Sequence, residues 1–146
     1  MPQISELIGR RPLVHASMND TVRNAAQEMT EKKIGAVAIL DDGKLVGIFT
    51  ERDIMQRVVA AGLDPDGTPV GTVMTRELVV ASPDEDMDSA LHKMQSIRCR
   101  HLPIVDEGNL VGMLSLRDLL QVENAATRQR ATFLSELVTY SPDYES

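Results

Sequence analysis

The feature that most constrains this chain is an internal repeat. Residues 13–56 align with residues 78–121 at a constant offset of about 65 positions, and about fifteen of the roughly 44 aligned pairs are identical. A segment of this length is one supersecondary unit that cannot bury its apolar face alone. Two copies are too few for a solenoid, so we expect them to pack sheet to sheet about a pseudo-twofold axis.

Each copy has the apolar pattern of a β-α-β-β-α unit. In the first copy, residues 13–14 indicate a short strand, Ser17 the start of a capped helix, and residues 36–40 and 45–49 two strands joined by a tight turn. A second helix is expected after Thr50. The second copy repeats this order, with strands at 78–80, 102–105 and 110–114 and a helix from Ser82. The predicted fold class is therefore α+β.

Glycine and proline mark the predicted boundaries. The second helix of the first copy is expected to end at Gly62. Pro103 has no N–H to donate, so we expect it at an edge of the sheet or as the first residue of a strand. Apolar residues continue at helical spacing to about Leu137, which predicts a C-terminal helical extension. We expect it to take part in self-association, the alternative being that it covers the open edge of the module. The predicted organisation is a first repeat at 1–61, a linker at 62–72, a second repeat at 73–122, and the extension with its tail at 123–146.

Composition excludes several classes of function. The formal net charge of -7 argues against a large nucleic-acid footprint. No stretch approaches the length of a membrane span and the N-terminus lacks the basic start of a signal peptide, so we expect a cytoplasmic protein. The single cysteine, Cys99, excludes an internal disulfide, and the histidines lack metal-ligand spacing, so no metal site is expected. No catalytic motif is evident, and we do not expect an enzyme.

The strongest local signal is a glycine, a hydroxyl and a carboxylate that recur at the same place in both copies. The hydroxyl and the carboxylate three residues later fall at the start of a helix, where the carboxylate can accept two hydrogen bonds from a vicinal diol such as ribose. The same spacing is also that of a helix capping box. The residues alone leave both interpretations open. The two motifs are Gly47, Thr50 and Asp53, and Gly112, Ser115 and Asp118.

A basic cluster precedes a predicted strand of the second copy in this otherwise acidic chain. Alternate residues of an extended segment share a face, so Arg98 and Arg100 are expected to converge on one phosphate with His101 beside them. The alternative is a solvated surface run that pairs with nearby acids. The first copy has Lys33 and Gly35 at the positions of the two arginines. If phosphate is bound, the two copies should therefore not be equal.

Taken together, these residues resemble a tandem pair of cystathionine-β-synthase (CBS) domains, known as a Bateman module. The resemblance covers about residues 4–122 and rests on the repeat, the paired G-h-x-[ST]-x-x-D ends and the R-H-L-P-I-V-D segment. It implies two packed sheets, two related clefts and a homodimer. It also implies a regulatory role through binding of AMP, ADP, ATP, NAD or S-adenosylmethionine.

The resemblance further implies roles for individual residues. The hydroxyl and carboxylate of each motif would hold a ribose, and the short first strand of the opposite copy would line each cleft. The basic residues before the proline-containing strand would contact phosphate. The implied ligand-binding residues are Leu13, Val14, Thr50, Asp53, Leu78, Val79, Arg98, Arg100, His101, Pro103, Ser115, Arg117 and Asp118.

The sequence therefore predicts a nucleotide-sensing regulatory module without a catalytic cofactor. AMP is the favoured ligand, with ADP or ATP next. The predicted partners are a second copy of the chain and an unidentified target protein, and neither nucleic acid nor a membrane. Two alternatives remain: a site for NAD or S-adenosylmethionine, and a dimerisation scaffold that binds no ligand.

Overall fold

The computed structural model describes residues 3–8 and 13–123 of the 146-residue chain. The predicted C-terminal extension and tail, from residue 124 onward, lie outside the described residues. Within the described ranges, no helix is long and apolar enough to cross a membrane.

From the first long helix of each repeat onward, the two repeats have the same order of helix, strand, strand and helix, and the predicted α+β class is confirmed. Each hairpin turn has two residues with positive φ, Asp42 and Gly43 in the first copy and Glu107 and Gly108 in the second. The predicted tight turn is therefore present in both. The elements are α1 (Ile4–Ile8), β1 (His15–Ser17), α2 (Val22–Lys32), β2 (Ala36–Asp41), β3 (Lys44–Thr50), α3 (Glu51–Asp53) continuing as a π-helix (Ile54–Val59), a 3-10 turn (Val70–Thr72), α4 (Met87–Ile97), β4 (His101–Asp106), β5 (Asn109–Ser115) and α5 (Leu116–Glu123).

Both sheets are built on an antiparallel hairpin, and they differ in how the first strand joins it. In the first copy β1 pairs in parallel with β2, and β2 pairs with β3. In the second copy β4 pairs with β5, and the segment aligned with β1 contributes a single parallel bridge, Ala81 to Ile104. The first strands also begin later than the sequence predicted, because residues 13–14 lie before β1.

The position of Pro103 differs from the prediction. It is the third residue of β4 and lies between β5 and the Ala81 bridge, so it is neither an edge residue nor a strand start. Its carbonyl accepts a hydrogen bond from Ala81 N at 3.0 Å. In a parallel pairing, an N–H at position 103 would bond toward Val79, which lies outside the Ala81–Ile104 bridge. A proline is therefore tolerated here, because neither hydrogen bond of that bridge needs this N–H.

A second proline shortens the parallel pairing between β4 and the segment around Ala81 at its other end. In the first copy Met18 N donates to Leu40 O at 3.3 Å and extends the pairing of β1. The residue aligned with Met18 is Pro83, which cannot donate. Pro83 and Pro103 together leave only one bridge where the first copy has a three-residue strand.

The predicted helix starts at Ser17 and Ser82 are also wrong. The structure begins α2 after Thr21, whose side chain accepts from Asn24 N at 3.1 Å. It begins α4 after Asp86, whose side chain accepts from Ser89 N at 3.0 Å. The two predicted serines instead open the turns that precede these helices, where Ser17 N donates to Asp20 Oδ2 at 2.8 Å.

The described residues form two compact units, each with its own apolar core. Residues 13–78 make up most of one unit, and residues 3–8, 79–106 and 111–123 make up most of the other. Helix α1, through the fully buried Ile4, therefore belongs to the core of the second repeat. The segment containing Val70, Val73 and Met74 belongs to the core of the first.

The carboxylate of Glu85 fixes the turn before α4. It accepts hydrogen bonds from Ser82 N at 2.6 Å and from Ser89 Oγ at 2.5 Å, and Lys93 Nζ lies 2.8 Å from its Oε1. Burial raises the pKa of this carboxyl, but the hydrogen bonds from Lys93, Ser89 and the Ser82 N–H outweigh burial and hold the pKa below its ordinary value.

We predict that the Glu85→Gln variant melts about 3 °C below the wild type at pH 7, because a neutral amide cannot hold the Lys93 ammonium. Since the folded-state pKa is lowered, the stabilisation by Glu85 is complete above the unfolded-state value of about 4.5 and is lost as the pH falls through the lowered pKa. Calorimetric melting at pH 7 and pH 3.5 should show the difference shrinking. The Glu31→Gln variant, at an exposed position, serves as control. Equal changes in melting temperature for both variants would contradict a stabilising role of the Glu85 carboxylate.

Candidate functional site

The hydroxyl and carboxylate of the first motif form the capping box that their spacing allows. Asp53 Oδ2 accepts a hydrogen bond from Thr50 N at 2.9 Å, and Asp53 N donates to Thr50 Oγ1 at 3.2 Å. This reciprocal pair starts α3 directly at the end of β3. The capping interpretation is therefore confirmed for this copy, and the carboxylate takes part in it through one of its two oxygens.

The other oxygen of Asp53 lies near one residue that follows the linker and one on the adjoining helix. Its Oδ1 accepts from Thr75 Oγ1 at 2.9 Å, and Arg57 Nε lies 3.8 Å away. Arg57 also donates through Nη1 to Met74 O at 2.9 Å. Among residues 3–8 and 13–121, whose side-chain burial the structure describes, Asp53 is the charged residue that is buried, with 4% of its surface exposed. The interior stabilises this charge because its hydrogen bonds and the nearby cation replace water.

The second motif has the same capping geometry in a more open setting. Ser115 N donates to Asp118 Oδ2 at 2.7 Å, and Asp118 N donates to Ser115 Oγ at 3.2 Å. Asp118 is partly buried. The position aligned with Arg57 is Val122, so this copy has no arginine at that place in the helix.

A backbone hydrogen bond places the basic cluster beside the second motif. Leu116 N, at the start of α5, donates to Arg100 O at 2.8 Å. The first copy makes the equivalent bond between Glu51 N and Gly35 O at 3.0 Å. The structure therefore brings the segment 98–101 to the N-terminal end of α5, next to the second hydroxyl and carboxylate.

The prediction that Arg98 and Arg100 share one face of an extended segment is wrong. Arg98 has φ of 54° and is the left-handed C-cap residue of α4, and its N–H bonds back to that helix. Because Arg98 is not on an extended segment, its side-chain direction does not follow that of Arg100. Arg98 is exposed, whereas Arg100 and His101 are partly buried.

The other candidate residues divide between the two units. Leu13 is exposed, and Val14 and Leu78 are partly buried in the first-repeat unit. Val79 packs against the core of the second repeat, and Arg117 is exposed on α5. The lining of each cleft by the opposite copy stays a prediction.

The sequence did not predict the two residues that lie next to Asp53 Oδ1, Arg57 and Thr75. Arg57 carried a usable signal, because a cation four residues after a carboxylate shares its helix face. Thr75 carried none, since it is 22 residues away and reaches Asp53 only through the fold.

The glycine of each motif allows another segment of the chain to approach its strand closely. A Cβ on Gly47 would lie 2.5 Å from Met74 Sδ and 2.9 Å from Thr75 O. A Cβ on Gly112 would lie 3.0 Å from Ile8 Cδ1. The part of the chain that the structure describes brings no three His, Cys, Asp or Glu side chains together as a metal site.

Comparison with known proteins connects these features to a family. The family model of the CBS domain matches residues 4–60 and 70–124. The CBS domain-containing protein YhcV of Bacillus subtilis (strain 168) is 39% identical over 121 residues, which are 82% of this chain and 86% of that protein. Both matched ranges contain one copy of the glycine, hydroxyl and carboxylate motif.

Solved structures agree with the sequence comparison. A CBS-domain containing protein from Agrobacterium tumefaciens has a TM-score of 0.77 and 30% identity, and the match covers 84% of this chain and 99% of that one. The CBS domain pair of protein MJ0100 has a TM-score of 0.76 and 26% identity over 86% of this chain and 98% of that one. The latter was solved with 5′-methylthioadenosine and S-adenosyl-L-methionine.

We predict that Gly47→Ala lowers the free energy of unfolding by about 2 kcal/mol, because the added methyl meets the backbone oxygen of Thr75. Gly112→Ala should cost clearly less, since the contacting atom is the tip of the Ile8 side chain, which can shift. Urea denaturation of both variants measures the two losses. Equal losses would show that close approach to the backbone does not explain the glycine at position 47.

Proposed function

Because this chain belongs to the CBS-domain family, whose tandem pairs are regulatory ligand-binding modules, we propose that its second repeat binds an adenosine-containing nucleotide, with AMP preferred over ADP and ATP. In this proposal Asp118 and Ser115 hold the ribose, and the basic segment 98–101 holds the phosphate. Binding, and not catalysis, is the proposed role. The homodimer, the cytoplasmic location and the regulated target protein stay predictions.

The observation that carries this proposal is the hydrogen bond from Leu116 N to Arg100 O at 2.8 Å. It joins the basic segment to the start of α5, one residue after Ser115. A ribose and its 5′-phosphate are adjacent groups of one small molecule, so their acceptor and their cations must lie close together. The bond supports that arrangement without any assumption about side-chain rotamers.

The chemistry of the two groups matches the two ends of a nucleotide. A carboxylate accepts hydrogen bonds from both hydroxyls of a vicinal diol, and Asp118 is only partly buried. Arginine guanidinium groups bind phosphate oxygens in a bidentate manner, and they are concentrated here in a chain whose net charge is -7. Arg100 and His101 are adjacent and lie beside the second motif, and so small a group of basic side chains suits a single phosphate better than a long polyphosphate, which favours AMP.

A second candidate ligand is S-adenosylmethionine or 5′-methylthioadenosine, because a structure similar to this one contains both. These molecules share the adenosine group and would use the same carboxylate. Neither carries a phosphate, and the sulfonium of S-adenosylmethionine is positive. The basic segment therefore argues for a nucleotide ahead of either.

We predict that calorimetric titration detects AMP binding and that Asp118→Ala abolishes it, because the ribose loses its acceptor. Arg100→Ala should weaken AMP by about tenfold or more while changing adenosine binding little, since only the phosphate contact is lost. AMP at about a hundred times its dissociation constant should also stabilise the fold by roughly 2.7 kcal/mol.

The matched control is Arg23→Ala, which removes an exposed arginine that pairs with Asp66 in the first repeat. It should leave AMP affinity unchanged. If S-adenosylmethionine binds more tightly than AMP, the second candidate and not the nucleotide is the ligand. If none of AMP, ADP, ATP, NAD and S-adenosylmethionine binds, the proposal fails and the scaffold alternative stands.

A further inference from the structure

We propose that Ile8, on α1, is a positioning residue for the nucleotide site of the second repeat. It packs on β5 at Gly112 and so fixes the end of the strand, which carries Ser115. This inference rests on the proposed function for its statement about nucleotide binding. The packing itself does not depend on a ligand.

Helix α1 is attached to the second repeat through its first residues. Ile4 N donates to Glu85 O at 2.8 Å, and Ser5 N donates to Pro83 O at 2.9 Å. The Ile4 side chain is fully buried in the core of the same repeat. These contacts fix the start of α1 on the turn that precedes α4, although the whole first repeat separates the two segments in the chain.

The position of Ile8 follows from that of Ile4. The two residues are four apart, so they lie on the same face of α1, and the helix rises only about 6 Å between them. Ile8 packs against the core of the second repeat. A helix that is fixed at Ile4 therefore also determines where the Ile8 side chain meets the repeat.

The Ile8 side chain occupies the space that a side chain at position 112 would need. The three atoms nearest to a Cβ on Gly112 would be Ile8 Cδ1 at 3.0 Å and Ile8 Cβ and Cγ2, both at 3.4 Å. The corresponding glycine of the first copy, Gly47, is approached by the backbone oxygen of Thr75 as well as by a side chain. At Gly112 the neighbouring atoms belong to one side chain, so a substitution of Ile8 removes them directly.

The strand that Ile8 contacts belongs to a two-stranded sheet, formed by β4 and β5. A hairpin of two strands depends for its stability on packing against other elements. Gly112 and Leu114 are both buried and lie on the core face of β5, because alternate residues of a strand share a face. Ile8 therefore packs on the inner face of the strand, and Ser115 is the next residue after Leu114.

The end of β5 connects to both parts of the proposed nucleotide site. Ser115 N donates to Asp118 Oδ2 at 2.7 Å, and Leu116 N donates to Arg100 O at 2.8 Å. Gly112 lies about 10 Å from Ser115 along the strand, so Ile8 acts through the position of β5. A displacement of the strand end by more than about 0.5 Å disturbs both hydrogen bonds and lowers affinity.

Calorimetric titration of two matched variants with AMP tests the inference. Ile8→Ala should weaken AMP binding by about tenfold, because β5 relaxes into the space that the side chain leaves. Leu7→Ala is the control, since Leu7 is also partly buried on α1 and packs against the same core. Both variants should melt about 4 °C below the wild type, but Leu7→Ala should keep the AMP affinity within about twofold. Equal losses of affinity in the two variants would overturn the positioning role.

A second substitution tests whether the effect passes through Gly112. Adding Gly112→Ala to Ile8→Ala places a methyl group in part of the vacated space, so the AMP affinity should return to within about threefold of wild type. An affinity that does not recover would overturn packing at Gly112 as the cause. If Ile8→Ala does not fold, Ile8→Val replaces it, because it removes Cδ1, the atom nearest to position 112. It should weaken AMP about threefold, and Gly112→Ala should then restore the wild-type affinity.

Amide hydrogen exchange without ligand separates a failure of this inference from a failure of the proposed function. The amides of Ser115 and Leu116 should exchange about tenfold faster in Ile8→Ala than in Leu7→Ala, because their hydrogen bonds hold the strand end. If AMP does not bind to the wild type, the proposed function fails, and the exchange rates still decide whether Ile8 positions β5. If AMP binds and the exchange rates of the two variants are equal, this inference fails and the proposed function stands.

Discussion

A charge buried in a protein must find its hydrogen bonds within the protein, and this requirement at Asp53 organises the first repeat. The carboxylate caps α3 through Thr50 and reaches the chain after the linker through Thr75. Gly47 makes the same contact possible, because any side chain there would collide with residues 74 and 75. The end of β3, the start of α3 and the segment after the linker therefore meet at one carboxylate.

The two repeats keep one architecture but differ at several aligned positions. Prolines at 83 and 103 remove two donors from the second sheet and reduce its parallel pairing to one bridge. The arginine that accompanies the first carboxylate is replaced by valine in the second copy, and the basic segment occurs only in the second. The repeated sequence thus keeps its fold while several aligned positions differ between the copies.

Much of the fold was predictable because its signals are local. The hairpin turns were found from Gly43 and Gly108, whose positive φ the structure confirms. The helix starts at Ser17 and Ser82 were misplaced by several residues, since a serine that opens a turn and a serine that caps a helix look alike in sequence. Arg98 was misplaced for a related reason: the cap of α4 extends one residue past the helix and takes a left-handed backbone.

The sequence by itself determined the repeat, the α+β class and the family, because these depend on apolar periodicity, turn residues and a motif that occurs twice. It also marked both carboxylates as special. Only the tertiary structure showed what surrounds the first of them, since Thr75 is 22 positions from Asp53 in the chain and contacts it through the pairing of β3 with the segment that follows the linker. Contacts made through long-range pairing leave no local pattern in the sequence.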